Sequence, residues 1–594
     1  MLDGFFRDVG YAWRALLRQR GFLIGAVATL ALGIGTNTAM FGIVNAVLLA
    51  PLPYAQPGSL VSFNFSNWLN PTDRGPLSVA DYQDTAPQLS TFASVAAYTD
   101  SPFTLSGDGE PEQVRGVWGT GALLTTLGVA PALGRTFVAA DDAAGDDNQV
   151  VLSYELWQRR YRGSTEVLGH PIMLNGRSST VVGVMPRGFQ FPLREATGMA
   201  GPVMLWIRHP SEPPTRRGPY YLWGVGRLGP GVALAQAQAQ LSTVAARIAG
   251  AHPETNADWT LKAVPLKDAF VGNSRLTLYA LFSATGLVLL IAAANVSNLL
   301  LSRGTARRRE LAIRVSQGAG PRHLLQQLLA EGALLAALGA VGGMLLAAVA
   351  LKVLVAIAPA EVPRLEFASL DATVLAFNAV AAAVCAIGFG LLPARRATRM
   401  DAYDALRPSA SSTATPDAGR LRRVLVGAEV ALSFVVLVAT GLLIGSLSRL
   451  QRVEPGVVQP EQVLSLQLDL PSKRYGEAPK LRTFYEQLLE RSAALPGVIS
   501  TGIGMSLPPN LQAISDNYLI EGQAPKTGNA EAAVPLLFVD AGYFTTLGIP
   551  QLRGRAFTTS DGPDAPPVVI INAALAARHF PGQDPIGKRL KIGG

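Results

Sequence analysis

Five stretches of this chain are long and apolar enough to cross a bilayer, a path that takes ~20 residues in a helix: 22–50, 276–301, 324–358, 372–392 and 424–447. None can be a soluble core helix at that length, so the chain is expected to be an α-helical membrane protein whose intervening segments form water-facing domains. Composition agrees. With 49% hydrophobic and 15% charged residues and a mean hydropathy of +0.27, the chain is too apolar for an ordinary soluble enzyme and too polar for a protein made only of membrane helices. The first stretch is no cleavable signal, since it far exceeds ~15 apolar residues and ends in Leu49-Ala50-Pro51-Leu52-Pro53.

Arginines near the helix ends set the expected orientation. Arg7, Arg14, Arg18 and Arg20 precede the first span; Arg303, Arg307, Arg308, Arg309, Arg314 and Arg322 fill the loop 302–323; Arg395, Arg396, Arg399, Arg407, Arg420, Arg422 and Arg423 fill the linker 393–423. The connection 359–370 offers only Arg364 against Glu361 and Glu366. The N-terminus, the 302–323 loop and the linker are therefore expected in the cytoplasm of a plasma (inner) membrane protein, with 51–275 and 448–594 outside. In 1–21, Phe5, Val9, Trp13 and Leu16-Leu17 share a helical face opposite Arg7, Arg14 and Arg18, the pattern of an amphipathic helix on the inner leaflet. This placement accounts for the net charge of +8 without nucleic acid.

The outer segments repeat one another. Leu127-Gly128-Val129 and Gly134-Arg135-Thr136-Phe137 return as Leu547-Gly548-Ile549 and Gly554-Arg555-Ala556-Phe557, and Val150-Val151-Leu152 returns as Val568-Val569-Ile570. Glycines, an arginine and alternating aliphatics in register over some fifty residues indicate an internal duplication whose second copy stops at Gly594; two whole copies would run to about 800 residues. Within 51–275, 81–98 and 232–249 read as helices and 150–152, 171–174 and 180–184 as strands, with Asn175-Gly176 a hairpin turn. This is a mixed α/β domain.

Catalytic motifs are missing from it. The sequence has no G-x-S-x-G and no H-E-x-x-H, and its five histidines (His170, His209, His252, His323, His579) are scattered, without metal-ligand spacing. The lone Cys385 excludes an intrachain disulfide. Asp141, Asp142, Asp146 and Asp147 lack the closing glutamate of a calcium loop and read as a solvated turn. Gly582–Lys588 fits G-x-x-x-x-G-K, but Arg589 stands where a magnesium-binding hydroxyl belongs and Arg589-Leu590-Lys591-Ile592 alternates like a strand. No cofactor, metal or nucleotide site is expected. The spans hold few charges: Lys352 can reach the outer surface, while Glu331 and Glu429 lie near the cytoplasmic arginines. Gly332, Ala336, Gly339, Ala340 and Gly343 give the third span small-residue stripes suited to close helix packing.

The 302–323 loop carries the functional signal. Thr305 can start and Gly318 end a short helix in which Leu311 and Val315 share a face beside an i, i+4 pair of Glu310 and Arg314. Such a helix suits a groove on another protein. At these residues the chain resembles the MacB/FtsX-type ABC transporter permeases: Arg309-Glu310-Leu311-Ala312-Ile313-Arg314, Gly318-Ala319 and Gln327-Leu328-Leu329-Ala330-Glu331 resemble the FtsX-like permease domain. Thr29 to Phe41 and Leu52-Pro53-Tyr54 resemble the duplicated orphan permease subgroup; Gly134 to Phe137, Leu152 to Trp157 and Val182 to Pro186 resemble the MacB-like core domain.

The resemblance implies FtsX-like transmembrane helices with α/β extracytoplasmic MacB-like core domains at 51–275 and 448–594, and a permease domain at 276–392. It implies a separate cytoplasmic ABC ATPase docked on a coupling helix formed by Arg309, Glu310, Leu311, Ile313, Arg314 and Val315. The chain itself would then be no enzyme; it would relay the ATPase stroke to the outer domain for export or efflux, with a periplasmic partner or substrate outside. The alternatives are an FtsX-like regulator that relays the stroke to a cell-envelope enzyme, and a membrane sensor or adhesin without an ATPase, which the docking helix disfavours. Reporter fusions check the topology: within 51–275 they are expected to read as extracytoplasmic, and within 302–323 as cytoplasmic.

Overall fold

The computed structural model describes residues 2–67, 74–107, 109–143, 148–193, 201–208, 217, 219–256, 259–272, 274–306, 321–357, 364–397, 416–451, 456–468, 470, 472–508, 514–516, 518–522, 534–562 and 564–592. They form two compact units, one of 1–50 with 271–453 and one of 51–270 with 454–594.

The first unit is helical. Its elements are α1 (Leu2–Leu17), α2 (Arg20–Val44, running on as a π-turn, Asn45–Leu49), α3 (Ser274–Ala306), α4 (Pro321–Ile357), α5 (Ala372–Ala397) and α6 (Pro416–Gln451). Among the described residues, Arg20–Leu49, Ser274–Leu300, Leu329–Ile357 and Val426–Arg449 are long and apolar enough to cross a membrane, and α5 contributes a shorter apolar stretch, Ala372–Gly388. These are long uninterrupted helices because lipid offers the backbone no partner outside its own ladder. Two apolar clusters knit α2 to its neighbours, one around Leu30, Ile34, Val296, Leu335 and Cys385 and one around Ile43, Val47, Leu278, Ala347 and Leu351. Helix α6 is different, with Val430, Phe434, Leu437, Leu442 and Ile444 all exposed. On α1, Leu16 is fully buried within the first cluster, while Trp13 and Leu17 stay exposed, so the expected apolar face is split between bundle and surroundings.

The second unit is an α/β domain with, among its described residues, one long sheet of thirteen strands and a separate pair, Tyr518–Ile520 with Leu590–Ile592. Its strands are β1 (Leu60–Asn67), β2 (Leu77–Ser78), β3 (Phe92–Ser106), β4 (Glu112–Gly119), β5 (Leu133–Gly134), β6 (Gln149–Leu152), β7 (Pro171–Leu174), β8 (Arg177–Val184), β9 (Leu205–Arg208), β10 (Tyr220–Leu228) and β11 (Trp259–Pro265), followed by β12 (Ile514–Asp516), β13 (Tyr518–Ile520), β14 (Val534–Leu536) and β15 (Leu590–Ile592). The main path runs β11-β1-β10-β3-β4-β9-β6-β8-β5, with β7 beside β3 and β8 and with β12 beside β10 and β14. Pairs β4–β9 and β6–β8 are parallel and the others along the path antiparallel. The β7–β8 hairpin turns on Asn175 and Gly176, both with positive φ, as their pairing in the sequence led one to expect.

Three cores line this sheet. Helix Leu234–Ala251 packs Ala237, Leu241 and Ile248 on Val61, Phe63 and Leu261. At the other end Leu156, Val167 and Ile172 pack on Phe103, Val150 and Leu205, and on the opposite face of the sheet, to which the alternate strand residues Leu60, Tyr98, Val151 and Trp206 turn, Tyr98, Phe189, Phe191 and Trp206 form an aromatic cluster. Burial pushes the Tyr98 hydroxyl well above the ordinary phenol range, with the Asp100 charge adding to the rise. The expected helix 81–98 is corrected. The helix there spans Val79–Thr85, started by Ser78, whose hydroxyl accepts from the Asp81 amide, and the chain is already a strand from Phe92. Ala86-Pro87 ends the helix, and pairing with β10 and β4 then fixes the extended form.

Several buried charged groups among the described residues of this unit have polar partners. Arg115 donates to Asp100 at 2.9 Å, both side chains almost wholly buried, and to the Gly201 carbonyl. Asp81, fully buried, accepts from Arg217 and Asn256 at 2.9 Å each and from Ser78. Arg227 bridges the Thr126 and Leu127 carbonyls and Ser59.

Local conformations recur between the two outer segments. Helices Leu123–Leu127 and Tyr543–Leu547 both end on a left-handed glycine, Gly128 and Gly548, each with φ of 68°; a side chain there would strain the backbone and strike Ala55 or Val458. Arg135 pairs with Asp141, which accepts from the Val138 amide; Arg555 pairs with Asp561, which accepts from the Thr558 amide. The Arg555 hydrogen bond and that amide hold the Asp561 carboxyl well below the usual carboxylate range. The match is local only: β6 is buried between β8 and β9, whereas Val568 and Val569 are exposed and outside any described strand.

Arg115→Ala is expected to destabilise this unit by about 3–5 kcal/mol by leaving a buried carboxylate without its guanidinium, whereas Arg159→Ala, at an exposed pair with Glu112, should change stability by less than about 1 kcal/mol. Chemical denaturation of the two variants makes the comparison.

Candidate functional site

The sequence places the functional contact on a short helix between α3 and α4. Its residues, Arg309, Glu310, Leu311, Ile313, Arg314 and Val315, lie outside the described residues. What the structure does describe is the pair of helices leading from that loop and the way they grip α2.

The grip is a backbone contact. A Cβ on Gly35 of α2 would lie 2.8 Å from the Gly343 carbonyl oxygen of α4, and one on Gly343 would lie 3.0 Å from the Gly35 amide nitrogen. Only glycine at both positions allows the approach. One turn earlier Gly339 faces Leu30, and Ala336 is buried in the same seam. The small-residue stripe expected on the third span thus lies against the first.

Among the described residues, polar groups of the bundle serve both the helices themselves and the contacts between them. Thr29 and Thr36 donate to carbonyls four residues back, at 2.8 Å. Between helices, Thr285 Oγ1, which donates to the Phe282 carbonyl at 2.9 Å, lies 3.1 Å from the Asn37 side-chain Oδ1, and Asn378 donates to the Ala340 carbonyl at 3.3 Å. Phe41 of α2 stacks on Phe377 of α5 with ring centroids 4.0 Å apart, and Phe282 of α3 leans on both. Glu331 is buried near the start of α4 and Lys352 is exposed near its end.

At the far end of α2 the helix widens. The Ala50 amide donates to the Asn45 carbonyl at 2.7 Å, closing the π-turn, a form that recurs at functional positions. Two residues of the connection between α4 and α5 seize this turn. Arg364 Nη1 donates to the Ala50 carbonyl at 3.0 Å. Asp371 accepts from Asn45 Nδ2 with one oxygen and from the Val374 amide with the other, both at 2.9 Å, so that it also starts α5. Reading the sequence missed these roles. Arg364 entered only as a count of charge, although Asp371 immediately before an apolar run is a legible helix start.

In the outer unit the acidic cluster resolves into turn anchors: Asp141 holds Arg135, and Asp142 accepts from the Gly121 amide at 2.9 Å; Asp146 and Asp147 lie outside the described residues. Partial burial works against the Asp141 charge, but Arg135 and the Val138 amide outweigh it and lower its pKa. Lys588 sits in a turn that enters β15 and opens no helix. Among the described residues no group of His, Cys, Asp or Glu could hold a metal ion. The arrangement is one of packed helices and tied ends, suited to carrying displacement.

The family model for the MacB-like periplasmic core domain matches 23–244 and 422–594, more than half of the chain, and that for the FtsX-like permease C-terminal region matches 282–402. The macrolide export ATP-binding/permease protein MacB of Burkholderia cenocepacia is 27% identical over 67% of this chain and 56% of its own length. The protein of that name from Escherichia coli is 28% identical over 48% of this chain and 42% of its own. The chain thus spans about half the length of the curated relatives it matches. Among solved structures, the periplasmic region of MacB from Actinobacillus actinomycetemcomitans aligns at 14% identity over 37% of this chain and 92% of that one, with a TM-score of 0.26. The extracellular domain of the transporter YknZ from Gram-positive bacteria aligns at 14% identity over 34% of this chain and 99% of that one, with a TM-score of 0.25.

Gly35→Leu and Gly343→Leu should each destabilise the bundle by about 1–3 kcal/mol through overpacking, while Gly286→Leu, where a Cβ meets nothing within 4 Å, should be close to neutral. Thermal unfolding in detergent provides the measurement.

Proposed function

Because the chain belongs to the MacB/FtsX-type ABC transporter permeases, we propose that it relays the stroke of a separate cytoplasmic ABC ATPase to its own extracytoplasmic domain, and that it does so in export rather than by threading substrate between its helices. The observation that carries this reading is the Gly35–Gly343 contact: α4, which follows the docking loop, holds backbone to backbone the helix whose chain continues covalently into the outer unit. Tightly packed helices transmit displacement because packed interiors deform little.

In this reading Arg309, Glu310, Leu311, Ile313, Arg314 and Val315 form the coupling helix, and the N-terminus, the 302–323 loop and the 393–423 linker face the cytoplasm. Exposed Tyr11, Trp13 and Leu17 on α1 would lie in the inner leaflet, with Arg14 and Arg18 toward its headgroups. The core-domain match in two segments, each opening on an apolar helix, and the recurring Arg–Asp pairs support a duplicated permease of the orphan subgroup. The two halves would then act as a built-in dimer. The names of the curated relatives favour a macrolide-like efflux cargo.

Leu311→Asp combined with Glu310→Arg tests the docking. These changes should weaken co-purification of the ATPase and its stimulated hydrolysis by at least about tenfold, the ~1.4 kcal/mol expected of one well-buried contact. Undiminished association would remove the coupling helix from the scheme. Capture of a cell-wall hydrolase by the outer domain, with efflux unaffected by deletion of the protein, would replace export by regulation of that enzyme.

A further inference from the structure

We propose that Asn45, Arg364 and Asp371 form a polar joint that fastens the outer end of α2 to the α4–α5 connection, so that movement of α4 and α5 is delivered to the chain where it enters the outer unit. The proposal deepens the relay reading above and rests on it.

Two independent bonds converge on one turn. Arg364 holds the carbonyl of Ala50, the residue that caps α2, and Asp371 holds the side chain of the first π-turn residue, Asn45. The two bonds flank the five-residue turn, so tightening or unwinding it works against one of them. Asn45 and Arg364 are each 7% exposed, while Asp371 lies at the surface; the two buried groups lose a partner at a cost if the joint opens. The charges also suit their places, with a cation at the carbonyl end of α2 and an anion at the amide end of α5.

Arg364 adopts a left-handed backbone, φ of 62°, uncommon for a residue with a side chain. Its buried guanidinium on Ala50 gives a reason for that conformation to persist. The double use of Asp371 matters most. One carboxylate starts α5 through the Val374 amide and grips Asn45 with its other oxygen, so α5 cannot shift along its axis without pulling on α2. A π-turn departs from the regular helical ladder and recurs at functional positions. Fastened at both ends, it acts as a jointed coupling in place of a frayed end. Gly35–Gly343 thus grips α2 within the bundle, and this joint grips it where the chain departs. Asn45, Arg364 and Asp371 are positioning residues, since they act on the outer unit only through α2.

The test uses the full chain in nanodiscs, in a Cys385→Ala background, with the ATPase that co-purifies with it. Asn45→Cys with Asp371→Cys, kept reduced, should cut the response of amide exchange within 51–270 to magnesium-ATP at least fivefold. Bridging the two thiols with a short bifunctional reagent should restore it, with ATPase association unchanged throughout. A reduced variant that responds like the parent, or a bridged one that stays silent, overturns the joint and leaves the relay standing. A parent chain that shows no response to ATP overturns the relay itself. The joint is then decided by a second measurement that needs no ATPase: Arg364→Ala and Asp371→Ala should raise amide exchange across 45–50 about tenfold, whereas Asp371→Asn, which keeps an oxygen for Val374 and donates its NH2 to Asn45 once the Asn45 amide flips to present its oxygen, should preserve protection. Unchanged exchange in the alanine variants overturns the joint.

Discussion

The helical unit depends on two glycines meeting. Hydrocarbon solvates leucine as well as a neighbouring helix does, so helices in lipid are held by close packing and a few polar contacts and gain little from hydrophobic burial. Gly35 and Gly343 remove the side chains that would keep α2 and α4 apart. At that spacing the neighbouring contacts come within reach, with Leu30 on Gly339 and Ile34 among Val296 and Leu335. Helix α6 shows the contrast: its Gly427, Gly441 and Gly445 face open space, and its apolar side chains are exposed.

The outer unit solves the opposite problem. Water surrounds it, so burial can drive its assembly, and the long sheet leaves three apolar cores beneath helices and loops. Two of its buried carboxylates are matched, Asp100 by Arg115 and Asp81 by Arg217. Such pairs tolerate little rearrangement, because an orphaned charge is far worse than the pair. One chain therefore joins a unit held by shape to a unit held by burial and matched charge.

How much of this was legible depended on the range of the interaction. Four of the five expected spans coincide with long apolar helices, since bilayer length is a local property of the sequence, while 372–392 meets only the shorter apolar stretch Ala372–Gly388; also legible were Asn175-Gly176, whose turn needs positive φ at both residues, and helix Leu234–Ala251, close to the expected 232–249. The stretch 81–98 was misread because its strand half is determined by β10 and β4, which are far away in sequence. The small-residue stripe announced a close neighbour for α4 without naming it. That the partner was α2, at Gly35, and that Asp371 reaches back to Asn45 across more than three hundred residues, follow from three-dimensional packing. The predicted docking residues fall within 307–320, outside the described residues, and rest on the loop's own pattern and family resemblance.

Strand β3 has one further consequence. Its fifteen residues, at ~3.4 Å each, give a rod roughly 50 Å long, pinned along its flanks by β10, β4 and β7 and shared by all three cores through Phe92, Tyr98 and Phe103. Because β10 holds its first half and β4 its second, meeting at Tyr98, a shift in either half of the sheet is handed to the other through the backbone of this strand.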